Sequence, residues 1–181
     1  AATLTGATLT GAKLNTATLT GADITGADLT GADLTGATLT NIVIDAATIL
    51  TSAKLISADL SSTNILAADL TSIEMAKADL TGANLTSTTL ISANLAGAKL
   101  GGANLTSANL TGGAKLSKAD LTGANLTSAD LTGADLTGAK LNTANMTEVN
   151  ISGANLTAAD LTGATGLTGT DPATNLPTGI I

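Results

Sequence analysis

The chain has 181 residues, of which 44% are hydrophobic, yet it contains no aromatic residue, no Cys and no His. Its apolar content therefore comes almost wholly from Ala, Leu and Ile, and disulfides, thiolate or imidazole metal sites, Cys nucleophiles and Ser/His/Asp triads are excluded. Seven Lys against fourteen acidic residues give a net charge of -7, which disfavours binding to nucleic acid or anionic lipid.

The first residues, Ala1 to Thr5, carry neither a basic n-region nor an apolar h-region, so no signal peptide is read there. Strictly apolar runs stay short, as at Ile42, Val43 and Ile44, far below the roughly 20 residues a membrane helix needs. The expectation is a soluble protein, with the compartment, cytoplasmic or exported, left open.

From Leu4 onward a five-residue period governs the sequence, in blocks such as Gly26-Ala27-Asp28-Leu29-Thr30. With the large aliphatic as the centre, centres fall every five residues from Leu4 to Ile49, from Leu55 to Leu110, and from Leu116 to Leu161, 32 in all. Two residues before the centre stands Ala in 27 of the 32; Ile42, Thr63, Ile73, Thr88 and Val149 are the exceptions. Between them lies a polar residue, except at Val43. Small-apolar, polar, large-apolar is the alternation of a short strand, with Ala and Leu facing in. A helix is a poor reading, because a five-residue step at 100° per residue smears Leu around every side, and the Thr and Gly that follow each centre favour strand and turn. One bulky aliphatic in every five residues also argues against disorder.

This A(D/N)LTG motif resembles the pentapeptide-repeat family over residues 2 to 162. The resemblance implies an all-β fold, a right-handed quadrilateral β-helix with four repeats per square coil and centres and Ala stacked inside. Thirty-two repeats then make eight coils, a rod on the order of 40 Å long at the usual strand spacing. Leu29, Leu34, Leu60, Leu80, Leu100, Leu121 and Leu141 are the expected structural core. The two six-residue spacings, Ile49 to Leu55 and Leu110 to Leu116, are twelve repeats apart, which predicts that both extra residues bulge at the same corner. Residues 1–162 form the expected β-helix and 163–181, which include Pro172 and Pro177, an irregular C-terminal tail or cap.

Sorting the polar residue before each centre by face gives vertical stripes. One reads Lys13, Asp33, Lys54, Glu74, Asn94, Lys115, Asp135, Asn155; another ends Asp79, Lys99, Asp120, Lys140, Asp160; a third carries Asn64, Asn84, Asn104, Asn125 and Asn145. Alternating charges stabilise neighbouring strands modestly, and stacked Asn predicts an amide ladder. Thr18/Thr20 over Thr38/Thr40 suggests an ice-binding ladder, but it stops at Asp59/Ser61. The Asn-Leu-Thr triplets match the glycosylation pattern only because the repeat generates them.

The family includes DNA mimics that inhibit DNA gyrase. Here Lys interrupts both of the most charged stripes, so a non-enzymatic structural or protein-interaction scaffold is the primary expectation and a gyrase- or topoisomerase-binding DNA mimic the alternative. No catalytic residue, metal site or cofactor is expected. The partner is expected to be protein, with no direct nucleic-acid binding and no membrane span. A homo-oligomer through a rod end is expected too, with Leu4, or Ile180 and Ile181, as candidate end contacts and the long faces left free.

Overall fold

The computed structural model describes residues 1–167. Its backbone winds as a four-sided solenoid in which each short strand is a parallel bridge to the residue about one coil further on, from Thr3↔Asp23 to Asn145↔Thr165. Eight coils stack in this way. We number the faces by their first bridging residue: Thr3 on face 1, Thr8 on face 2, Lys13 on face 3 and Thr18 on face 4. The ladder continues to Thr165, past the boundary expected at 162; residues 168–181 lie outside the described residues.

The repeat forms this coil because each residue type satisfies one demand. The centre donates its amide to the next coil, as in Leu100 N to Asp120 O at 2.7 Å, and its carbonyl closes a turn with the residue three further on, as in Ala103 N to Leu100 O at 3.0 Å. The second residue after the centre holds positive φ, which Gly adopts without penalty. At many corners another residue takes that conformation, among them Ala67 at 55° and Lys77 at 61°. Inside, Ala and the centre alternate in columns: Leu29, Leu34, Leu60, Leu80, Leu100, Leu121 and Leu141 are all buried to 1% exposure or less. Thr63 and Thr88, which replace Ala, are buried because their hydroxyls donate to the carbonyls of Leu39 and Leu85.

The register departs from the sequence expectation at one place. Leu50, at 3% exposure, is the buried centre, whereas Ile49 is 44% exposed and bridges outward-facing Asp28 and Asp69. The six-residue step therefore runs from Ile44 to Leu50, and the two extra residues lie at adjacent corners, the first between faces 1 and 2, the second between faces 2 and 3. Asp45 determines the first bulge. Its Oδ1 accepts from Gly26 N at 2.9 Å, Ala47 N at 3.2 Å and the Thr48 hydroxyl at 2.8 Å. Thr48 then fills the Ala slot, its hydroxyl also placed to donate to Ile24 O at 3.1 Å. At the second bulge Gly112 and Gly113 both have positive φ, and a Cβ at Gly112 would lie 2.9 Å from Ile91 Cγ2.

Candidate functional site

Among the described residues the interior of the solenoid is filled by Ala and aliphatic centres, and the charged side chains stand on its outer faces and corners. On the faces, Asp or Asn before a centre does a local job first. Its Oδ1 accepts from the amide and hydroxyl of the Thr two residues on: for Asp28 these are Thr30 N at 2.9 Å and Thr30 Oγ1 at 2.6 Å, and for Asn104 they are Thr106 N at 3.1 Å and Oγ1 at 2.6 Å. These turns are thus fastened by an Asx motif. Donation to the ionised form holds carboxylates below their ordinary range. Asp33 is lowered to about 2 by the Thr35 hydroxyl, the Asn15 side chain and the Thr35 amide, and Asp160 to about 2 by the Thr162 hydroxyl, Asn142 and the Thr162 amide.

The same motif changes the expected Asn ladder. The stripe stacks in the predicted order from Asn64 to Asn145, yet a direct amide pair forms only from Asn84 Nδ2 to Asn64 Oδ1, at 2.9 Å. Higher up, Asn125 Nδ2 donates to Thr106 Oγ1 at 3.1 Å and Asn145 Nδ2 to Thr127 Oγ1 at 3.0 Å. Because Oδ1 is engaged by its own turn, the link between coils passes through Thr. The charged stripes also stack in the order read from the sequence. Among the described residues they yield two ion pairs, Lys99–Asp79 at 3.0 Å and Lys140–Asp120 at 3.9 Å. Both are solvent-exposed and are worth at most about 1 kcal/mol each.

Charge is divided unequally between the two halves of the rod. All seven Lys lie on faces 3 and 4 or on the corner joining them, together with seven acidic residues. Faces 1 and 2 and their shared corner carry Asp23, Asp28, Asp45, Asp69, Asp130 and Glu148 with no cation. The net negative charge of the described residues is concentrated there. The linear sequence hides this, because it appears only when stripes are placed side by side.

The ends differ as well. In the first coil Leu4, Leu9, Leu14 and Leu19 are partly buried, while one coil further on Ile24, Leu29, Leu34 and Leu39 are at 2% or less. The backbone amides of Thr3, Thr8, Lys13 and Thr18 make no hydrogen bond among the described residues. In the eighth coil Ile151, Leu156 and Leu161 are buried. Leu4 is partly buried; Ile180 and Ile181 lie outside the described residues.

Among the described residues no group of three or more acidic, His or Cys side chains is placed to hold a metal ion, and no helix is long and apolar enough to cross a membrane.

Comparison with known proteins agrees with the repeat. The family model described as pentapeptide repeats matches in 8 copies, over residues 2–41, 73–112, 113–142 and 124–163. No curated protein matches the chain. Among solved structures it is similar to HetL, a pentapeptide repeat protein involved in heterocyst differentiation regulation in the cyanobacterium Nostoc sp. strain PCC 7120. That match has 35% identity over 90% of this chain and 80% of the other, with a TM-score of 0.48. It is also similar to trypsin-treated QnrB1, a plasmid-mediated fluoroquinolone resistance protein, at 20% identity over 91% and 89% of the two chains, TM-score 0.49. A pentapeptide repeat protein of the Arabidopsis thaliana thylakoid lumen matches at 30% identity over 63% and 68%, TM-score 0.31. With its repeats matched over most of their length and its strands stacked on four faces, the chain belongs to the pentapeptide repeat family and is a right-handed quadrilateral β-helix scaffold.

Proposed function

We propose that this scaffold is non-enzymatic and works by protein interaction, associating through its first coil with a second copy of the chain. The carrying observation is the sameness of successive coils: the same columns of buried centres and the same ladder bonds recur from one coil to the next, so a terminal coil of one copy offers the surface on which a coil of another stacks. An edge of this kind gains both apolar burial and ladder hydrogen bonds when another β-coil stacks on it. Amide hydrogen exchange against protein concentration tests the reading. Thr3, Thr8, Lys13 and Thr18 should become protected as concentration rises, and protection independent of concentration would sink it. The DNA-mimic alternative is separated by a gyrase supercoiling assay. The scaffold reading expects no inhibition, because Ile49, Thr89 and Asn109 break the acidic stripe of face 2; inhibition would favour the mimic.

A further inference from the structure

The three large hydrophobic side chains exposed among the described residues are not scattered. Val43 at 48%, Ile49 at 44% and Leu66 at 47% exposure lie in the third and fourth coils, around the corner between faces 1 and 2. Two further features coincide with them. The ladder is looser along this seam: bridges join Val43 to Asn64 and Ile49 to Asp69, but the amides of Ile44, Leu50, Asn64 and Asp69 make none of the short hydrogen bonds that equivalent amides make elsewhere in the rod. Ile44, a centre inside the third coil, is only partly buried. A shallow groove of about 300 Å³ opens on face 1, lined by Asn41, Ile42, Val43, Ile44, Ser62 and Asn64. The matched family repeats pass over this stretch, from 42 to 72.

From these observations we infer that the seam between the third and fourth coils is a lateral docking site for a protein segment in which aliphatic side chains are flanked by Lys or Arg. The apolar trio and groove supply a place for aliphatic side chains, since exposed apolar patches on otherwise polar surfaces mark interaction sites. Charge complementarity selects the occupant. Asp28 and Asp69 stand directly before and after Ile49 in its stripe, Asp23 precedes Val43, and Asp45 forms the corner, while this half of the rod has no Lys. A basic segment meets opposite charge all round the apolar contact; a neutral or acidic one would not. The long faces are therefore not uniformly free of partners, because the repeat's Thr, Asn and Asp give way here to Val, Ile and Leu. The site is independent of the first coil, and each can fail without the other.

The test is fluorescence anisotropy with the labelled heptapeptide Lys-Lys-Ile-Lys-Leu-Lys-Lys and a control in which Ser replaces both aliphatic residues. The aliphatic peptide should bind the intact chain about tenfold more tightly, the value of burying part of two aliphatic side chains. Combining Val43→Thr, Ile49→Thr and Leu66→Thr should abolish that difference without altering the circular dichroism spectrum, since all three are exposed, Thr suits the strand positions 43 and 49, and Thr is the residue the repeat usually has at the turn position of Leu66. Asp28→Asn with Asp69→Asn should weaken both peptides. Equal binding of the two peptides, no binding of either, or full binding by the triple variant would each overturn the proposal. So would self-association of the intact chain that the triple variant abolishes and Leu4→Lys leaves unchanged, because the occupant would then be a second copy.

Discussion

Replacing Leu50 with Ala should destabilise the chain far more than replacing Ile49. Leu50 is 3% exposed and stacks in the column that contains Leu29 and Leu70, each at 1%. Truncating a buried Leu removes its transfer energy and leaves a cavity, about 2–5 kcal/mol depending on how far the surroundings collapse. The open seam beside Leu50 permits some relaxation, so a loss of about 3 kcal/mol is expected. Leu100→Ala supplies the upper reference. That residue is 0% exposed and its strand is held by ladder bonds to both neighbouring coils, Leu100 N to Asp120 O at 2.7 Å and Lys99 N to Ala78 O at 2.9 Å, so about 4 kcal/mol is expected. Ile49, 44% exposed, has little more than half its burial to lose, and Ile49→Ala should cost about 1 kcal/mol. Urea denaturation of the three variants, compared at equal m-value, reads these differences directly. A loss for Ile49→Ala equal to or above that for Leu50→Ala would refute the register and return the six-residue step to the following corner.

Three further outcomes follow from the turns. Asp130 Oδ1 accepts from Thr132 N at 2.9 Å and Thr132 Oγ1 at 2.5 Å; Asn keeps that acceptor, so Asp130→Asn should be nearly neutral while Asp130→Ala loses about 1 kcal/mol in urea melts. Ala67→Gly should raise the unfolding free energy read from urea melts by about 1 kcal/mol, because it relieves a left-handed Ala at 55°. Acid should destabilise: Asp33 and Asp160 titrate near 2 when folded against about 3.9 unfolded, so their contribution is complete above about pH 5 and is lost as pH falls through 4 towards 2. A urea midpoint that stays flat from pH 5 to pH 2 would contradict this.

Much of the rod is legible in the sequence because each repeat position has one dominant requirement. Alternation places Leu100 inside and Asn104 outside, and a fixed five-residue step puts Lys99 between Asp79 and Asp120 without any coordinates. Legibility fails where two residues compete for one slot. Ile49 and Leu50 are both good centres, and equal corner spacing favours Ile49; the deciding residue is Asp45, whose carboxylate binds three donors and consumes the extra residue before the strand begins. The Asn ladder fails for a related reason. Stacking Asn64 to Asn145 is a matter of register, but whether their amides pair depends on what else Oδ1 accepts, and the Thr two residues on reaches it first. The docking seam is least legible of all. Val43, Ile49 and Leu66 are far enough apart in sequence to look like isolated lapses, and only the closing of the coil brings them around one corner.

Sedimentation equilibrium of the intact chain and its Leu4→Lys variant, over a wide concentration range, tests the proposed function most directly. A buried Lys at an end-on contact would lose its hydration without gaining a partner, whereas the same Lys on a free coil end stays solvated. The intact chain should shift from monomer to dimer or longer species as concentration rises, and Leu4→Lys should remain monomeric at every concentration. A strictly monomeric intact chain at the highest concentration, or association unaffected by Leu4→Lys, would contradict the first coil as the surface through which this scaffold works.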